Sequence, residues 1–127
     1  MSQDLLVDTD VLVDYLRGND AAVAYVQQHA DRIAVSAITV AELYAGVRPT
    51  QAAPLDELTR LFPVLPVDRE TATVGGQLRA EYGRSHGVGL ADALVAATAR
   101  RHGMRLVTAN VRHFPMFPDL TAPYRKA

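Results

Sequence analysis

The stretch Leu5-Leu6-Val7-Asp8-Thr9-Asp10-Val11-Leu12 decides how this chain is read. Three apolar residues in a row fit a short strand buried on both faces. The run ends on an acid. From Thr9 to Arg17 the apolar residues Val11, Leu12, Tyr15 and Leu16 recur at helical spacing, and Gly18 is placed to stop the helix. The same order of strand, polar residue and helix returns at Ile33-Ala34-Val35, which ends on Ser36 and leads into an apolar helix from Ile38 to Val47. Arg105-Leu106-Val107-Thr108 reads as the last strand and runs into Ala109-Asn110. Between these lie a helix from Asp20 to Ala30, a short helix from Pro54 to Phe62 and a weak strand from Val64 to Val67. Asp68 caps a long helix to about Ser85, weakened by Gly75-Gly76, and Leu90 to His102 is an alanine-rich helix. Arg48 to Pro54 reads as a loop between helices. Short strands alternating with helices predict an α/β fold with a central, mainly parallel sheet of four to five short strands flanked by helices.

Composition narrows the class. The 127 residues suit a single domain spanning 1–127, with 49% hydrophobic and 21% charged residues, a globular balance. There is no cysteine, which excludes disulfides and thiolate-ligated metals. The net charge of -1 argues against a general polyanion-coating protein. Twelve of the thirteen basic residues are arginine, and the one lysine, Lys126, is next to last. A mechanism needing an internal lysine is therefore excluded. No apolar run reaches the ~20 residues of a membrane span, and the N-terminus lacks the marks of a signal peptide. The expectation is a cytoplasmic protein with no membrane contact.

In a parallel sheet the ligand site lies beyond the carboxyl ends of the strands. Here those positions hold Asp8, Ser36 and Thr108-Ala109-Asn110, so that edge is acidic and polar. Each acid also has a plain structural reading. Asp8 suits a helix N-cap, Asp92 suits the positive end of a helix dipole, and Asn110 suits a turn. Asp10 and Asp14, four apart, form a like-charge pair that a solvated helix face tolerates, and tolerates better with a cation nearby. Glu42 is a single acid in an otherwise apolar helix. It either closes a capping box with Thr39, pointing back at the Thr39 amide, or points across at Asp8. Three acids and an amide brought to one sheet edge would repel one another unless a cation neutralised them. All-oxygen ligands favour magnesium, with manganese as the alternative. The four histidines, at 29, 86, 102 and 113, lack a close metal-ligand pairing, so zinc is not expected. Carboxylate-held magnesium suits phosphate chemistry.

Among phosphate enzymes, the opening stretch is similar to that of haloacid-dehalogenase-type phosphatases, where the first aspartate is the nucleophile. Those enzymes use an internal lysine and a later acidic pair, both missing here. The lysine count also weighs against a receiver domain, and no P-loop or complete dinucleotide fingerprint is present. The chain more closely resembles the PIN-domain ribonucleases, and within them the VapC-type toxins of toxin–antitoxin modules. Four segments carry the resemblance in order: Leu6 to Asp14, Ser36 to Val47, Asp92 to Ala99 and Leu106 to Phe114.

The resemblance implies a PIN-like three-layer fold and a magnesium-dependent endoribonuclease. Its cation would activate a water against the phosphodiester, leaving a 5′-phosphate and a 3′-hydroxyl. The family's metal-binding acids map onto Asp8, Glu42 and Asp92, with Asn110 where many members carry a fourth acid. Asp10 stands where many members have a neutral polar residue, and its charge is expected to replace the one missing at Asn110. The catalytic set is thus Asp8, Glu42, Asp92 and Asn110, with Thr108 and Asp10 as further contacts. Arginines supply the RNA contacts, with Arg17, Arg48, Arg84 and Arg112 as candidates. The resemblance also implies a separately encoded antitoxin that blocks the cleft, against residues such as Leu12, Leu16, Leu43, Tyr44 and Val47, and a homodimer or higher assembly. The alternatives are a catalytically impaired PIN-like binding domain, because of Asn110, and a small phosphatase with Asp8 as nucleophile.

Overall fold

A computed structural model describes residues 3–125, leaving Lys126 outside the described residues. Four short strands, β1 (Leu5–Val7), β2 (Ile33–Ser36), β3 (Val64–Leu65) and β4 (Arg105–Val107), form one sheet in the order β3-β2-β1-β4. Every pairing is parallel, with Leu5 opposite Ile33 and Arg105, and Val35 opposite Val64. Six helices connect and cover the strands: α1 (Thr9–Leu16), α2 (Asp20–His29), α3 (Ala37–Ala45), α4 (Ala52–Leu61), α5 (Arg69–His86) and α6 (Leu90–Arg101).

The strand residues explain the layering. Side chains alternate across a strand, so Leu5 and Val7 face one side and Leu6 the other. Leu5, Val7, Ile33, Val35 and Val107 join Val11, Leu12, Val26, Leu43, Leu55 and Leu58 in one core, which draws α1 to α4 onto that face. Leu6 and Leu106 join Leu78, Val95, Phe114 and Met116 in a second core with α5 and α6. Both faces are covered, which is why the strands lack polar alternation.

The packing of α5 on α6 depends on one glycine. A Cβ at Gly75 would lie 2.5 Å from the Leu94 Cδ2 and 3.3 Å from the Leu94 Cα. The neighbouring Gly76 faces open space. The pair that looks like a helix weakness in sequence is thus a close-approach site at one position only. Gly18 ends α1 with φ 78°, and Gly87 ends α5 with φ 67°, both in the left-handed region that glycine tolerates.

Several boundaries differ from the sequence reading. The segment read as a loop contains a 3-10 turn at Pro49–Gln51 and the start of α4 at Ala52. Pro54 therefore lies in the first turn of that helix, where its missing N–H costs nothing. α3 starts at Ala37, because Ser36 caps it by accepting from the Ile38 amide at 3.2 Å. β4 ends at Val107, leaving Thr108 beyond the strand. The sheet has four strands among the described residues, and Phe114 to Arg125 adds none. No helix among the described residues is long and apolar enough to cross a membrane.

Candidate metal and catalytic centre

The carboxyl ends of β1, β2 and β4 open onto one edge, and the predicted residues gather there. Asp8 is both the N-cap of α1 and the first acid of the cluster. One of its carboxylate oxygens accepts from the Thr9 amide at 2.8 Å and the other from the Thr108 hydroxyl at 3.0 Å. It is only 5% exposed. Burial pushes its pKa up to about 7, helped by the charges of Asp10 and Asp92 and opposed by the Thr9 and Thr108 hydrogen bonds.

Asp10 is held against the loop after β4. It accepts from its neighbour's amide at Val11 (2.8 Å) and from the Ala109 amide at 3.0 Å, with the Thr108 hydroxyl close by. Asp14, by contrast, is buried and accepts from the Tyr124 hydroxyl at 2.6 Å. The two acids, four apart in sequence, therefore have different surroundings. Asp10 serves the acidic edge, while Asp14 anchors the C-terminal segment.

Glu42 settles between its two readings by position. The helix cap is Ser36, so no capping box forms at Thr39, which is fully buried. The Thr9 hydroxyl donates to the Glu42 carboxylate at 2.6 Å and lies 3.2 Å from the Thr39 hydroxyl. Glu42 thus points across at the start of α1. Asp92, half-buried in the first turn of α6, has its pKa raised by burial and by the charges of Glu42 and Asp10. The His113 imidazole, 3.4 Å away, works in the opposite direction. A buried pair, the Ser36 and Thr98 hydroxyls at 3.1 Å, ties α6 to the end of β2 and so fixes the helix that presents Asp92.

Thr108 is fully buried with its hydroxyl turned to Asp8. As one of the expected further contacts, it orients a carboxylate. Asn110 opens the 3-10 turn Val111–His113, and its backbone N–H donates to the Thr108 hydroxyl at 3.1 Å. Arg17, Arg48, Arg84 and Arg112 are all exposed. Arg17 and Arg48 flank a cleft of about 170 Å³ beside Glu42, whose apolar wall includes Leu16, Leu43 and Val47. Leu12 is core, while Tyr44 is exposed outside the lining of this cleft, with its hydroxyl donating to Asp56. Sequence reasoning missed Thr9, Thr39 and His113. The Asp8-Thr9-Asp10 triplet is the signal that could have marked Thr9. His113 has no such signal, since its spacing to the other histidines says nothing about Asp92.

The donor set suits a hard divalent cation in chemistry. Asp8, Asp10, Asp92 and Glu42 offer oxygen only, and Asp8 and Asp92 each have their proton affinity raised by burial and then by neighbouring carboxylates. Among the described residues no three acidic or histidine groups already converge on one point. Glu42 is turned to Thr9 and Asp8 to Thr108, so the acids share a field before they share a centre.

The family model for the PIN domain matches residues 5–117. A relative from Mycobacterium tuberculosis named Ribonuclease VapC19 is 42% identical over 123 residues, covering 94% of this chain and 98% of its own. Ribonuclease VapC10 from the same species is 40% identical, covering 94% and 92%. Among solved structures, a toxin–antitoxin complex from Klebsiella pneumoniae superimposes with a TM-score of 0.82 at 27% identity, covering 96% of this chain and 99% of that one. FitAcB from Neisseria gonorrhoeae gives 0.69 at 31% identity, covering 87% and 91%. Four motifs in order, a parallel sheet with an acidic carboxyl edge, and these matches together assign the chain to the PIN-domain family, in its VapC group.

Proposed function

We propose that this chain is a magnesium-dependent endoribonuclease and the toxin of a toxin–antitoxin module, with manganese as an alternative cation. The observation that carries the reading is the acidic edge, where burial and like charge raise the pKa of both Asp8 and Asp92. Such a set is costly without a cation and suited to one. The VapC relatives are named as ribonucleases, which supports RNA as the substrate class. The similar Klebsiella structure is a toxin–antitoxin complex, which supports the module.

Asp8 and Asp92 would hold the cation, with Glu42 completing the set or orienting the attacking water. When bound, magnesium supplies an activated water and offsets charge on the phosphate oxygens. The chain's own groups prepare that site. Thr108 fixes one oxygen of Asp8, Thr9 fixes one oxygen of Glu42, and Asp10 pins the loop that carries Asn110. Asn110 contributes an amide where many members carry a carboxylate, and Asp10 keeps the cluster's charge count up. Arg17 and Arg112, both exposed, would receive RNA phosphates. Asp8 is a poor fit as a phosphatase nucleophile, because the sequence offers no internal lysine to hold a phosphoaspartate. An antitoxin segment would occupy the cleft between Arg17 and Arg48, placing it next to Glu42.

The test is RNA cleavage by purified protein with magnesium. Cleavage should stop with EDTA and fall by about a hundredfold or more in Asp8→Asn and in Asp92→Asn. Undiminished cleavage by either variant overturns the reading. Magnesium binding without cleavage of any RNA would favour the impaired binding domain.

A further inference from the structure

A second cavity, of about 230 Å³, lies away from the acidic edge. Its walls include Leu5 and Arg105, which open β1 and β4, and Arg32, which directly precedes β2. It runs along the edge strand β4, whose Leu106 and Val107 also line it, and its two arginines stand at the amino ends of the strands, away from the Asp8 carboxylate. Tyr25 and His29 of α2 and Thr121 of the C-terminal segment complete its polar wall.

The donors here are largely uncommitted. Arg105 makes no ion pair or side-chain hydrogen bond among the described residues. Arg32 gives its Nε and Nη2 to Asp4 at 2.8 and 2.7 Å, which leaves its Nη1 hydrogens free. Asp4 offsets the charge of Arg32, and Asp31 also acts on it, so the surplus positive charge belongs to Arg105. The Tyr25 hydroxyl, half-buried, has no hydrogen-bond partner among the described residues. Burial raises its pKa, as does the charge of Asp4, while the charges of Arg105 and Arg32, on the same cavity wall, pull it down. His29 donates its Nδ1 hydrogen to the Tyr25 carbonyl at 2.8 Å, leaving Nε2 as its second polar atom. Its ring stacks on Tyr25 with centroids 4.2 Å apart, which holds both side chains in place.

We propose that this cavity is a binding site for a phosphate group, held by the Arg105 guanidinium with Tyr25, Thr121 and the free edge of Arg32. The chemistry favours it: a guanidinium fork matches two phosphate oxygens, and hydroxyls donate to a third. Size points the same way. At about 230 Å³ the cavity is smaller than the ~300–1,000 Å³ of sites for larger ligands, and it holds a phosphate with several waters of ~30 Å³ each. The phosphate arrives either as a free ion or small ester, or as part of an RNA backbone. The site makes no use of the acidic edge, so it stands whether or not that edge binds magnesium.

The experiment is an NMR titration of the full chain with inorganic phosphate in EDTA, which also keeps RNA intact. Saturable shifts at the Arg105 side chain and at the amides of Leu106 and Thr121 are expected. Arg105→Gln should weaken binding about ten- to a hundredfold, the effect of losing a charged bidentate donor. Tyr25→Phe, which keeps the ring stack, should weaken it by a smaller factor. Arg60→Gln, on exposed α4, should leave it unchanged. Competition then assigns the source. Displacement by a tetranucleotide lacking a terminal phosphate identifies a backbone site, displacement by a mononucleotide alone identifies a small ester, and displacement by neither identifies the free ion. Absence of saturable shifts, or equal loss in Arg60→Gln and Arg105→Gln, overturns the proposal.

Discussion

Asp8 holds its carboxyl at a position the fold has dried out, and that sets how the cation-free protein should respond to pH. Its carboxyl titrates near 7 when folded against a usual value of 3.8, chiefly through burial and then through Asp10 and Asp92. The neutral form is the one the fold favours. The resulting stability is full below the unfolded pKa and is lost as pH rises through about 7. In EDTA the protein should therefore melt at a higher temperature at pH 5 than at pH 8 as far as this group is concerned. Asp8→Asn should raise stability at pH 8 by about 1–3 kcal/mol, since the amide can still accept from Thr9 and donate to Thr108. Thermal denaturation at the two pH values checks this; a variant that melts lower at pH 8 contradicts it. Asp10→Asn preserves the bond from the Ala109 amide while removing a charge that acts on Asp8 and Asp92. It should weaken magnesium binding without unfolding the protein. Unchanged affinity by calorimetry would end the view that Asp10 stands in for the acid missing at Asn110.

At the scale of elements, α5 and α6 give the clearest contrast between sequence and packing. Gly75-Gly76 reads as a doubly weakened helix, yet the two positions have opposite surroundings. Gly75→Ala must push Leu94 aside and should cost about 1–3 kcal/mol. Gly76→Ala meets nothing and should gain about 0.5–1 kcal/mol from helix propensity. Chemical denaturation of both variants distinguishes these outcomes; equal effects would mean the helices do not meet at Gly75. Local signals were enough to find most elements, because strands buried on both faces leave unbroken apolar runs and helices leave a 3.6-residue spacing. They failed where an interaction crosses the chain. Glu42 fits a capping box locally, and only Thr9, 33 residues away, shows where it points. Asp14 reads as solvated until Tyr124, 110 residues on, is placed against it.

The whole molecule places its acids and its uncommitted arginine at opposite ends of one sheet, which the net charge of -1 conceals. The acidic edge was legible in sequence because parallel strands gather their carboxyl ends, and Asp8, Ser36 and Thr108 follow or close three of them. The other end was not legible, since Arg105 and Tyr25 are separated by 80 residues with no motif between them. His113 beside Asp92 was hidden in the same way. Clustered, partly buried carboxylates at that edge make sense as a seat for a divalent cation. Calorimetric titration of magnesium into the EDTA-treated and dialysed protein tests this most directly. Saturable binding that is lost in Asp8→Asn and in Asp92→Asn is the predicted result; no binding by the folded wild-type chain, or binding that survives both substitutions, would contradict it.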